Sequence, residues 1–132
     1  MKFKMDSYLL ILGLWNIIGC LVMFAFIKDS NANKLLVEWS QIFTEKYSTG
    51  YYGKLWLIWA IGVNIFFALI NIMCIYWNIL EIKEFVIWAD IIIYILFILL
   101  SIIGLKSGKL GKGIYIGFLI FITWILWGFS VI

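Results

Sequence analysis

The sequence predicts an all-α integral membrane bundle of four helices, arranged up-down-up-down, with an amphipathic interfacial helix between the first two spans. Three observations predict it. Of 132 residues, 66% are apolar and only 13% charged, too little polar surface to coat a soluble fold of one domain's length. The apolar residues gather into four stretches, 8–27, 55–77, 85–105 and 113–132, each close to the roughly 20 residues that cross a bilayer as helix. The stretches are continuously apolar, whereas the strands of a membrane barrel alternate.

The first span begins like a signal peptide, with Lys2 and Lys4 ahead of the apolar run 9–14, and Ile17-Ile18-Gly19-Cys20 resembles a loose lipoprotein cleavage box. LVMFAFI follows that cysteine, where a lipidated cysteine would lead into a polar tether, so the span is read as a retained helix. The long connection to the second span contains NKLLVEWSQIFTEKY. It places Leu35, Leu36, Trp39, Ile42, Phe43 and Tyr47 at helical spacing, with Ser30 or Asn31 as cap. This predicts the amphipathic helix, over about 31–47, lying at the interface or lidding the bundle. The connections NILEIKE and KSGKLGK are short and predict two antiparallel hairpins.

Aromatic residues mark the expected interfaces: Tyr51, Tyr52 and Trp56 at the start of span two, Tyr76 and Trp77 at its end, with Trp88, Trp124 and Trp127 in similar belts. Trp15 and Tyr94 are read as deeper packing residues. Lys28, Lys34, Lys46, Lys54, Lys106, Lys109 and Lys112 fall in the odd loops, against Lys2, Lys4 and Lys83 on the other side. Seven against three places the odd loops in the cytoplasm of a cell (inner) membrane, with both termini outside.

The chain has no His, Arg or Pro. It therefore lacks an imidazole for haem, metal or proton relay, a guanidinium clamp for phosphate, and a proline kink. Cys20 and Cys74 do not form a metal-site spacing and read as small unpaired packing residues. Glu81 and Glu84 read as a solvated turn beside the second hairpin. No nucleophile motif or phosphate loop is present, and no cofactor, metal or nucleic-acid partner is expected.

Polar and small residues inside the spans are few enough to compare. In span two Asn64, Asn71 and Asn78 recur every seven residues on one face, with Ala60 and Ala68 beside them. Span one has Gly13, Asn16 and Cys20 at steps of three and four. Span three carries Asp90 and Tyr94 one turn apart, and span four pairs Gly113 with Gly117 in a row extended by Trp124 and Gly128. Small residues let helices approach closely, and amides bond across the gap, so these stripes predict a polar seam inside the bundle.

Asp90, five residues into its span, is placed near one headgroup region, with Asn71 and Asn78 as neighbours, Tyr94 one turn deeper and Asn16 deeper still. No lysine inside a span is available to pair with it. An acid in a span is a functional-site candidate, weighed against a role as polar glue. The expected function is binding or transport of a small amphipathic or lipid-like molecule in the seam. The alternative is a non-catalytic accessory subunit that docks on a larger membrane complex or on a second copy. A lipid-modifying enzyme lacks the necessary side chains.

Overall fold

A computed structural model describes residues 2–28, 51–108 and 114–132. It is all-helical: α1 (Lys2–Lys28), α2 (Tyr51–Trp77), α3 (Leu80–Lys106) and α4 (Ile114–Val131). All four are long and apolar enough to cross a membrane, consistent with a multi-pass membrane protein. The predicted amphipathic helix over 31–47, residues 109–112 of the lysine-rich loop and Gly113 lie outside the described residues, as do the side chains of Tyr51, Tyr52 and Trp56.

Three helices start earlier than the apolar runs that predict them. α1 begins at Lys2, α2 at Tyr51 and α3 at Leu80. Glu81, Lys83 and Glu84 are therefore helical, although their charges read as a loop. Glu81 lies in the first turn of α3, where the helix dipole favours an acid, and Lys83 finds its partners inside the protein. The connection between α2 and α3 shrinks to Asn78 and Ile79. Asn78 has φ +57°, the left-handed region that asparagine tolerates better than most residues. Its N–H still reaches Cys74 O at 3.1 Å, which closes the end of α2.

The helices pack as two intimate pairs. α1 runs along α2 and α3 along α4, while contacts between the pairs are sparser. The first pair is tight because of what its side chains lack. A Cβ on Gly13 would lie 3.1 Å from Ile72 Cγ1 and 3.5 Å from Ala68 O, and Cys20 Sγ stands 3.5 Å from Ile61 O. In the second pair, a Cβ on Gly128 would fall 2.8 Å from Ile91 Cγ1, while Tyr94 stacks on Phe121 at 5.3 Å.

The buried residues of α3 are Lys83, Val86, Ile87, Asp90, Ile91 and Tyr94. Their spacing is that of one helix face. Large apolar side chains such as Leu100, Ile103, Leu119 and Leu126 point outward, an exposure that fits lipid rather than water. Trp124 departs from its expected place in an aromatic belt. It is buried, stacked on Trp127 at 5.6 Å and edge-on to Tyr8 at 6.2 Å. Trp15, expected to pack deep, is exposed on one side and tilts against Trp124 on the other.

Candidate functional site

Two polar clusters are buried on the same face of α3. The first centres on Lys83, whose side chain is 0% exposed. Its ammonium donates to Asp6 Oδ1 at 2.5 Å and to Asn78 Oδ1 at 2.9 Å. Asp6 is on α1 and 31% exposed, so the ion pair runs from the interior toward the surface. This overturns two readings of the sequence: Lys83 is not a loop charge, and a lysine does lie buried inside the helices. It binds Asp6, however, and not Asp90.

The second cluster centres on Asp90. It lies ten residues beyond Leu80, roughly 15 Å along the helix at 1.5 Å per residue, close to the middle of α3 rather than near one end. The earlier start of the helix accounts for the difference. Asp90 is 2% exposed. Asn71 of α2 lies against it, and Tyr8 of α1 and Tyr94 of α3 are within electrostatic reach. Asn16 sits beside Tyr94. Cys74 stands between the clusters, close enough to feel both Asp90 and Lys83.

What sets the second cluster apart is its hydrogen bonding. Tyr8 Oη, Asn71 Oδ1 and Asp90 Oδ2 are buried and find no partner among the described residues. Their local bonds explain part of this. The Asn71 amide donates to Phe67 O at 2.8 Å, one turn back on its own helix, and its oxygen is left buried without a donor. Asn16 likewise donates to Leu12 O at 3.0 Å. Buried polar atoms are nearly always bonded, and each orphan costs about 1–3 kcal/mol.

The three asparagines do not line a single seam. Asn71 is at Asp90, and Asn78 is an exposed turn residue that accepts from Lys83. Asn64 is half-buried and donates to Ala60 O at 2.7 Å on its own helix. Ala68 is buried against Gly13. At Gly117 the nearest atoms to a Cβ would be Ile114 Cδ1 and Phe121 Cε2 of α4 itself, at 3.6 and 3.8 Å, so among the described residues no other helix comes within 4 Å there. The free cysteines Cys20 and Cys74 are both buried, and among the described residues no three metal-ligating side chains converge.

Tyr8, Lys83 and Asp6 were not marked by the sequence as site residues. Tyr8 carried a usable signal, since Tyr8, Leu12, Asn16 and Cys20 step by four along one face. So did Lys83, which precedes Asp90 by seven. Aromatic rings enclose the Tyr8 end of the cluster: Tyr8 meets Trp127 edge-on at 5.4 Å as well as Trp124. On its other side Trp127 lines an open groove of about 380 Å³ between α1 and α4, with Phe3, Lys4, Ser7, Ser130 and Val131. Comparisons of the chain with protein-family models, curated proteins and solved structures find no match.

Proposed function

We propose that the protein is a small multi-pass membrane protein that binds, and through binding moves or presents, a small amphipathic or lipid-like molecule. Its polar head lodges at Tyr8, Asn71 and Asp90. One observation carries this reading: three buried, unpartnered oxygens from three different helices share one cluster. They sit where the two helix pairs meet, the plane of sparsest contact and so the easiest to part. The groove beside Trp127 supports an approach from the α1–α4 side.

The reading includes the up-down-up-down arrangement. Asp6 on Lys83 and Tyr8 on Trp127 bring the start of α1 to the start of α3 and the last turns of α4, as alternation requires. With Lys83 removed from the loop count, seven lysines against two favour the odd loops in the cytoplasm and both termini outside.

Native mass spectrometry of the chain released from mild detergent tests the proposal. A discrete small molecule retained one-to-one, and lost from a folded Asp90→Asn variant, is the expected result. A bare chain, or a stoichiometric protein partner with no small ligand, contradicts it.

A further inference from the structure

We infer that the head group this cluster takes is a primary ammonium, so that the ligand is a cationic amphiphile. The inference rests on the binding reading above and narrows it to one chemical class.

The unpartnered atoms are a carboxyl oxygen, an amide carbonyl oxygen and a phenol oxygen. All three can accept, and the carbonyl can do nothing else. A primary ammonium presents three N–H donors on one atom, one for each oxygen. A carboxylate or phosphate head would instead set acceptors against acceptors beside an acid.

The interior already holds one cation near Asp90, and it is committed: Lys83 gives two of its three donors to Asp6 and Asn78. Asp6 neutralises Lys83, which leaves Asp90 without a counter-charge among the described residues. Lys83 and Asp90 are seven residues apart on α3, roughly 10 Å along the helix.

Trp124 and Trp127 stack on each other, and both meet the Tyr8 ring edge-on. Aromatic faces attract a desolvated cation within about 6 Å, and they give an anionic head nothing. An acid, two further acceptors and an indole pair form one consistent environment for R–NH3+.

Three probes of equal chain length separate the inference from the reading beneath it: dodecylamine, its N,N,N-trimethyl analogue and dodecanol, each presented to the wild-type protein in mild detergent. Retention is read as bound mass by native mass spectrometry. The amine should be retained about ten-fold or more over both others, since one charge-assisted hydrogen bond alone is worth roughly that factor. Asp90→Asn should erase the preference, and Tyr8→Phe should reduce it by about three-fold or more, since the ammonium loses one of its three acceptors. Equal retention of amine and alcohol overturns the ammonium and leaves the binding site standing. Retention of the trimethyl analogue as strong as that of the amine overturns the three-donor match. Saturable retention of none of the three overturns the inference together with the binding reading. Should Asp90→Asn fail to fold, the wild-type ranking decides alone.

Discussion

Lys83 and Asp90 stand two turns apart on one face of α3, both sealed from solvent, yet in opposite condition. Lys83 is a buried charge with its counter-ion in place and a second acceptor in the adjoining turn. Asp90 is a buried acid whose outer oxygen, like the Asn71 carbonyl and the Tyr8 hydroxyl beside it, has no partner among the described residues. The first cluster fastens the start of α1 to the α2–α3 turn. The second makes no ion pair among the described residues and carries the penalty of orphaned atoms. A polar group kept inside apolar helices has to be offset by something. For Lys83 the offset is structural and visible. For Asp90 it is the ligand we propose.

Removing the Asp6 charge attacks the satisfied side and should have the largest effect. Asp6→Asn leaves the Lys83 ammonium buried without a counter-charge and should lower stability by about 2–4 kcal/mol. This is near the low end for a broken buried pair, because Asp6 is partly exposed. Adding Lys83→Met to Asp6→Asn should restore part of the loss. Chemical unfolding of wild type, Asp6→Asn, Lys83→Met and the double variant in the same mild detergent gives the coupling energy, and simple additivity would mean the pair holds nothing together.

Gly128→Ala attacks the unsatisfied side through packing. Its Cβ would meet Ile91 Cγ1 at 2.8 Å and the Tyr8 hydroxyl at 3.3 Å. Overpacking of this kind costs about 1–3 kcal/mol. It should also displace Tyr8 and weaken small-molecule retention, so that one variant loses on both readouts. A variant with full stability and full retention would show that Tyr8 and Gly128 are not held in this contact.

Smaller effects test the pairing of helices that frames both clusters. At Gly13 a Cβ would press on the flexible Ile72 side chain at 3.1 Å, whereas at Gly62 it would meet nothing within 4 Å among the described residues. Gly13→Ala should cost about 1 kcal/mol, and Gly62→Ala should stay within about 0.5 kcal/mol of wild type, as surface substitutions usually do. Thermal scans of the two variants side by side suffice. The reverse order would place the α1–α2 contact elsewhere.

The helices were legible because a continuous apolar run of bilayer length is a strong signal. Their starts were not, because the run begins only after the charges do. Lys83 looked like a loop residue while its partner, Asp6, stood 77 positions earlier in the chain. Asp90 was legible as the one acid among apolar residues, and its distance from the start of its helix was underestimated for the same reason as the start of α3. The seven-residue asparagine repeat suggested a single seam. What divided it was local: Asn64 bonds its own helix, and Asn78 falls past the end of α2. Tyr8 passed as an ordinary apolar residue, since its importance comes from α4 and α3, which the sequence does not place beside it.

The direct measurement is the stability of Asp90→Asn beside Asp6→Asn and wild type, unfolded in the same mild detergent after any retained small molecule has been stripped from the protein. An asparagine at 90 keeps the shape, removes an unpaired acid from a low-dielectric site, and can donate to Asn71 Oδ1. The account predicts that Asp90→Asn is as stable as wild type or more so, while Asp6→Asn falls clearly below it. A loss at Asp90→Asn as large as that at Asp6→Asn would make Asp90 a structural tie like Lys83 and contradict the account.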